Sequence, residues 1–240
     1  MNKINKTIEL YKKEVIDKSI FIKDMYATHH SKLYEYAEYL HKTDIEKITI
    51  ENNRVITTSR KHGIKIECDS GDHRIAPIEV LNFFDYEKDE SDMIENLICF
   101  GSEKKNFFDI GANIGWYSIM VAKSNRNVLV HSFEPIPKAY QSLTTNVDLN
   151  SLSNISTHNF GFSDKGGEFD FYYYPEGSGN ASSANVTGRS DTEVVKCKVK
   201  TLDEYVNESN EQIDFIKCDV EGAELLVFKG GMDAIKNSKP

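Results

Sequence analysis

Phe-Phe-Asp-Ile-Gly-Ala-Asn-Ile-Gly-Trp-Tyr-Ser, residues 107–118, is an apolar run that turns on glycines and re-enters apolar sequence at helical spacing. The run 107–110 bounded by Gly111 suits a buried strand, and residues 116–123 suit a helix. The pattern then repeats downstream. Residues 128–133 read as a second apolar strand ending in Glu134-Pro135, followed by a helix at 138–149. A short strand at 155–159 and a hairpin pairing 168–174 with 194–199 come next, then a third apolar strand at 213–218 that ends in Asp219-Val220-Glu221-Gly222. Upstream, Met93, Ile94, Leu97 and Ile98 mark one more helix. Strands alternating with helices in this way predict an α/β fold, a Rossmann-like parallel sheet with helices on both faces.

In such a sheet a ligand sits outside the carboxyl ends of the strands, where a glycine turn admits it and a helix N-terminus offers free N–H groups. Residues 109–115 meet that description. Glu134 closes the next strand 23 residues after Gly111, where a carboxylate can accept hydrogen bonds from both ribose hydroxyls of a nucleoside cofactor. A dinucleotide fingerprint reads G-x-G-x-x-G. Here Asn113 stands where its second glycine belongs, which argues against a pyrophosphate pressed on the backbone.

Residues 107–118, Phe-Glu-Pro at 133–135, Asn146 with Asn150, and Ile-Lys-Cys-Asp-Val-Glu-Gly-Ala-Glu at 216–224 together resemble the FkbM-type S-adenosylmethionine-dependent methyltransferases. The resemblance covers roughly residues 83–240, including Leu202-Asp203 and Lys229-Gly230. It implies a class I methyltransferase sheet and an activity that methylates a hydroxyl on a sugar or polyketide-like acceptor. Carried over by position, Asp109, Gly111, Asn113 and Gly115 would line the methionine end of S-adenosylmethionine. Glu134 would hold the ribose, and Phe160 and Gly161 would meet the adenine.

Methyl transfer needs acceptor oxygen, methyl carbon and sulfur in line, and an alcohol near neutrality needs a base within hydrogen-bond reach. Asp219 and Glu221, alternate residues at the end of the last strand, are the candidate catalytic carboxylates, with Glu224 one helical turn further on; Asp219 is the first choice for the base and Glu221 the next, against structural or cofactor-orienting roles for both. A metal held by these groups would call for another acidic ligand from a following strand, so no metal is expected. The expected function is O-methylation of a carbohydrate or glycan precursor. A non-catalytic cofactor-binding relic or assembly subunit is the alternative, and an NAD-dependent oxidoreductase a more distant one.

A helix at 223–236 is expected to close the chain, whereas the family resemblance has further strands beyond it. The sequence therefore predicts a sheet truncated before its fifth strand, with an open edge beside the strand at 213–218: either the chain is a fragment or truncated reading frame, or an oligomer or a partner chain covers that edge. Residues 1–82 form an accessory segment with no recognisable motif, and residues 83–240 the cofactor-binding domain. Within the accessory segment Ile4, Ile8, Tyr11, Val15 and Ile22, then Leu33, Tyr36, Ala37 and Leu40, suggest two amphipathic helices. Period-two patterns around Glu51-Asn52-Asn53 and at Ile64, Ile66 and Cys68 suggest an antiparallel hairpin or meander. His29 and His30 read as surface or half-buried residues. Residues 177–184, small and polar, read as a loop that either connects the hairpin arms passively or folds over the acceptor, and Tyr172 to Tyr174 as strand packing.

Composition narrows the partners. The net charge is −9, divided as +1 over residues 1–80 and −10 over 81–240, so a nucleic-acid backbone would be repelled. No apolar run approaches the roughly 20 residues of a membrane span, and residues 1–18 lack the apolar core of a secretory signal, which predicts a cytoplasmic protein. Cys68, Cys99, Cys197 and Cys218 are scattered without a C-x-x-C pair and are expected as reduced, packed thiols. Sequons at Asn5, Asn154, Asn180, Asn185 and Asn207 follow from an asparagine-rich composition and carry no function.

Overall fold

The computed structural model describes residues 2–98, 104–174 and 192–240. Cys99, the polar loop 177–184, and Asn180 and Asn185 lie outside them. The chain opens with α1 (Lys3–Lys12), α2 (Lys18–Met25) and α3 (Ser31–Tyr39), three helices where two were expected. Glu14 turns left-handed at φ 57°, and the Asp17 side chain then starts a new helix by accepting from the Ile20 N–H at 2.8 Å, satisfying one of its orphan donors. A π-helical turn carrying His29 and His30 joins α2 to α3. None of the three helices buries a residue.

The antiparallel meander follows as β1 (Ile45–Glu51), β2 (Arg54–Ser59) and β3 (Lys65–Cys68). Its first turn is the two residues Asn52 and Asn53, both left-handed, because a hairpin turn whose twist matches the strands requires positive φ at both positions and asparagine tolerates it. Two helices, α4 (Ala76–Phe83) and α5 (Lys88–Ile98), lead into the main sheet.

That sheet is built by β4 (Lys105–Ile110), α6 (Trp116–Ser124), β5 (Val128–Phe133), α7 (Pro137–Leu149) and β6 (Ile155–His158). Then come β7 (Gly161–Phe162), β8 (Gly167–Tyr173), β9 (Glu193–Lys200), α8 (Leu202–Ser209), β10 (Phe215–Cys218), α9 (Glu224–Lys229) and α10 (Met232–Ser238). The order β10-β4-β5-β6 is parallel throughout, as the alternation of strand and helix required. β7, β8 and β9 form a separate small sheet.

Three details depart from the sequence reading. The expected helix at 223–236 is broken into α9 and α10 at Gly230-Gly231, where Gly231 leaves helical geometry at φ −123°; a Cβ on Gly230 would lie 2.0 Å from the Ser163 carbonyl oxygen, so the backbone passes at close range there. α8 was not expected and is set by a capping box in which Thr201 and Glu204 exchange side-chain and backbone bonds. β10 begins at Phe215, two residues later than expected, although Asp214 still bonds β4, its N–H donating to the Asn106 carbonyl at 3.1 Å and its carboxylate accepting the Asn106 N–H at 2.7 Å. Among the described residues β10 pairs with β4 alone, and all four of its residues are half-buried.

Alternation along the strands separates two cores. Phe107, Val128 and Val130 face α6 and α7, and their cluster continues without interruption into Ile45, Ile64, Ile66, Ile75 and Val80 of the meander and α4. Phe108, Ile110 and Phe133 face α8, α9 and α10 through Leu202, Tyr205, Val227 and Ala234. Each such buried aromatic or aliphatic side chain contributes about 1.5–3 kcal/mol.

The second core also holds two histidines. The Tyr205 hydroxyl lies 3.4 Å from His131 Nδ1 and 3.3 Å from His158 Nε2. Burial, reinforced by His131 and Lys200, pushes the His158 pKa down to about 4, and burial lowers that of His131 as well. A histidine whose folded pKa lies below its unfolded value takes up protons more readily on unfolding, so stability is lost as pH falls from about 6.5 to 4. Glu134, raised to about 7, acts in the opposite direction over an overlapping window. The difference between proteins therefore isolates the effect: the melting temperature of His158→Phe should rise relative to wild type as pH is lowered from 7 to 4. A constant offset between the two melting curves across that range would refute this account.

Candidate active site

The β4 glycine turn is shaped by backbone bonds to its neighbours. Gly111 and Ala112 both donate to the Phe133 carbonyl at 3.0 Å, and Asp219 N–H donates to the Ile110 carbonyl at 3.0 Å. The carboxyl ends of β5, β4 and β10 are thus tied together. Gly111 sits at φ 81°, and Asn113 is left-handed at φ 47°. The Glu134 carboxylate, 5% exposed, accepts from Asn113 N–H at 2.9 Å and Ile136 N–H at 2.8 Å, leaving further lone pairs toward the cleft. Burial pushes the Glu134 carboxyl up to about 7 against the pull of those two N–H groups.

The turn is also tied to the N-terminal segment. Asn146 of α7 donates to the Ile114 carbonyl at 2.9 Å and accepts the Glu67 N–H at 2.9 Å. Asn150 accepts the Lys65 N–H and donates to the Lys65 carbonyl. Two side chains thus occupy backbone groups along β3 and dock the meander against the glycine turn.

A cleft of about 410 Å³ opens at these strand ends, within the roughly 300–1,000 Å³ of small-molecule sites. It is lined by Gly111, Asn113, Glu134, Asp219 and Glu221 of the sequence candidates. Asp109 lies beneath the floor, fully buried, where Ser118 Oγ donates to its Oδ2 at 2.6 Å. Gly115 closes the turn at the N-cap of α6. Phe160 and Gly161 do not line the cleft: Phe160 packs with Phe133, His158, Phe162 and Tyr205, and Gly161 abuts the Pro135 ring, itself part of the lining.

The structure adds residues that the motifs did not single out. Lys217 pairs in register with Asp109 across β10 and β4. Its Nζ lies 3.7 Å from Asp109 Oδ1, 3.3 Å from Asp219 Oδ2, and 5.0 Å over the Tyr117 ring. Burial works against its charge, but Asp109, Asp219 and Glu87 outweigh it and the ammonium pKa is raised. A lysine two residues before Asp219 in an apolar strand was the available signal, since alternate strand residues share a face. Tyr117 donates to Glu87 at 2.5 Å, and burial and Glu87 raise its hydroxyl well above the usual range, so it remains a donor. Arg74, Glu79, Asp85 and Tyr86, from the segment preceding β4, complete one wall.

The lining suits a nucleoside cofactor carrying positive charge. Carboxylates outnumber cations in the cleft, and one buried acceptor of its lining, Asn113 Oδ1, has no hydrogen-bond donor among the described atoms. Glu221 holds φ 52°, an uncommon conformation for its type that presents it at the cleft. Partial burial, then the Asp219 and Glu224 charges, raise its carboxyl above the ordinary range. No group of three or more metal-ligating side chains occurs among the described residues, and no helix among them is long and apolar enough to cross a membrane. Cys68, Cys197 and Cys218 are free thiols.

Comparison with known proteins places these features in context. The family described as Methyltransferase FkbM domain matches residues 109–240. Hexuronic acid methyltransferase AglP of Haloferax volcanii is 33% identical over 153 residues, covering 62% of this chain and 59% of its own. Methyltransferase sdnD of Sordaria araneosa is 30% identical over 151 residues, covering 51% and 58%. Methyltransferase 1 of Beauveria bassiana is 24% identical over 140 residues, covering 51% and 56%. The chain therefore spans between half and three fifths of the length of these relatives. Among solved structures, M. jannaschii TYW2 in complex with AdoMet aligns at 22% identity and a TM-score of 0.27 over 48% of this chain and 43% of its own.

Proposed function

The chain belongs to the FkbM family of S-adenosylmethionine-dependent methyltransferases, and on that premise we propose that its cleft methylates a hydroxyl group of a carbohydrate acceptor. The observation that carries this reading is convergence: the Gly111 turn, Glu134 and the pair Asp219 and Glu221 come from three strand ends and line one cleft. The carbohydrate class draws support from AglP, a relative named for hexuronic acid.

When bound, the cofactor supplies an electrophilic methyl group on a sulfonium. Glu134 would accept the ribose hydroxyls, while Asn113 Oδ1 and the acidic lining would favour its positive end. On the acceptor side, Asp219 commits one oxygen to Lys217 and orients the hydroxyl, and Glu221, with its raised carboxyl, takes the proton as the oxygen gains the methyl. The acceptor leaves as a methyl ether, and the proton returns to solvent from Glu221.

Two measurements test the cofactor half. Glu134→Ala should weaken S-adenosylmethionine binding by about 1.5–3 kcal/mol, the worth of a charge-assisted hydrogen-bonded group; unchanged affinity by calorimetry would remove the ribose assignment. Because the Glu134 carboxyl titrates near 7 and must ionise to accept both hydroxyls, affinity should fall as pH drops below 7 and be flat above it. Glu134→Gln should erase that slope. Methyl transfer from S-adenosylmethionine to a panel of nucleotide sugars and glycans tests the acceptor half, and turnover confined to non-carbohydrate acceptors would overturn it. Calorimetry with NAD provides the oxidoreductase control.

A further inference from the structure

A second cavity of about 480 Å³ lies beside the cleft, and Asp85, Tyr86 and Trp116 line both. We propose that this cavity is an acceptor chamber that receives an anionic substituent, a phosphate or a carboxylate, of the sugar whose hydroxyl is methylated in the adjoining cleft. This rests on the carbohydrate methyltransferase reading above and adds the charge and extent of its substrate.

The two cavities differ in charge. In the cleft six carboxylates face two cations, Arg74 and Lys217. In the chamber Lys42, Arg60, Lys61 and Lys88 face three carboxylates. Lys61 is paired with Asp92 and Glu95, and Lys88 with Asp92. Arg60 donates to the Leu40 and Ile45 carbonyls, and among the described residues neither it nor Lys42 forms an ion pair. An acceptor with a neutral hydroxyl at one end and an anion at the other would thus keep its charge out of the acidic cleft and meet cations in the chamber.

The partition is itself built and held. Phe84 sits at φ 80° and Glu87 at φ 41°, conformations that a phenylalanine and a glutamate adopt only when their surroundings impose them. Phe84 is the left-handed C-cap of α4, and the contacts around the partition are the Asp44 N–H donated to the Phe84 carbonyl at 2.7 Å, Tyr117 on Glu87, and the Tyr86 and Trp116 rings at 5.5 Å. The aromatic residues Phe84, Tyr86 and Trp116 in the chamber lining suit the apolar C–H faces of a sugar. Trp116 is 7% exposed, and its buried Nε1–H has no acceptor among the described residues.

Trp116 is the single tryptophan of the sequence, so its fluorescence reports on the partition directly. The intact chain, saturated with S-adenosylhomocysteine, would be titrated with glucose 6-phosphate, glucuronate and glucose. The two anions should give saturable changes, with glucose silent at the same concentrations, and the tighter anion identifies the substituent as phosphate or carboxylate. Lys42→Glu, at an exposed position, and Arg60→Met should each weaken the anion about tenfold, the loss expected for a charge-assisted hydrogen bond, with S-adenosylhomocysteine affinity by calorimetry unchanged. Equal responses to glucose and the anions, or anion affinities indifferent to both substitutions, would overturn the chamber. If S-adenosylhomocysteine binds while the anions do not, the chamber fails and the methyltransferase reading stands. Anion binding without S-adenosylhomocysteine binding would support the chamber and overturn the reading it rests on.

Discussion

Gly111→Ala should lower the melting temperature by roughly 4–20 °C and remove measurable cofactor binding. A Cβ built on Gly111 would lie 1.9 Å from the Asp219 carbonyl oxygen and 3.3 Å from Val220 Cγ1, and the residue sits at φ 81°. The left-handed conformation costs an L-residue about 1–2 kcal/mol, and forcing an extra carbon into packed structure about 1–3 kcal/mol. The sum of about 2–5 kcal/mol is a large share of a stability of about 5–15 kcal/mol, and each kcal/mol is worth about 2–4 °C at this size. The same displacement would push Asp219 away from β4 and open the cleft floor. Gly222→Ala is the internal control, since that glycine is also left-handed, at φ 91°, but a methyl group there would meet nothing within 4 Å among the described residues. It should show the conformational cost alone. Equal effects of the two substitutions would mean that the close approach at Gly111 is not what holds the strand ends together.

Glu221→Gln should reduce turnover about 10²–10⁴-fold, the contribution typical of a general base, while leaving S-adenosylmethionine affinity within about twofold. The low-pH limb of the rate profile, set by a carboxyl that burial, Asp219 and Glu224 raise, should disappear with it. Asp219→Asn separates the roles of the two carboxylates. By freeing Lys217 from one partner it should raise the Michaelis constant for the acceptor as well as slow turnover, and keep the low-pH limb. If instead Asp219→Asn alone abolishes that limb while Glu221→Gln turns over normally, the proton goes to Asp219 and Glu221 is the orienting group.

The parallel sheet and the glycine turn were legible because they rest on local signals. Short apolar runs ending at Gly111, and again at Glu134 and Asp219, state strand, direction and terminus without any distant contact. The α9–α10 break falls at Gly230-Gly231, a pair that weakens a helix, but the contacts that crowd it, the Ser163 carbonyl at Gly230 and the Leu202 side chain at Gly231, come from distant sequence. α8 could have been found from Thr201 and Glu204, whose three-residue spacing is a capping signature. The split of the first N-terminal stretch into α1 and α2 follows from Asp17, a simple N-cap whose side chain accepts the Ile20 N–H.

For the candidate site, sequence alone determined which residues stand at strand ends: Gly111 and Asn113 after β4, Glu134 after β5, Asp219 and Glu221 after β10. That much depends only on chain order and side-chain alternation. Tertiary structure decided how those ends are used. It put Asp109 beneath the floor, turned Phe160 into an aromatic core, and brought Lys217 between Asp109 and Asp219 through a register no single strand contains. Asn146 and Asn150, visible only as motif residues, dock β3 to the turn, while Arg74, Tyr86 and Glu87 complete a wall from a segment that carries no motif. Which charges meet in a cleft depends on contacts between segments distant in sequence, and those contacts exist only once the two cores have packed.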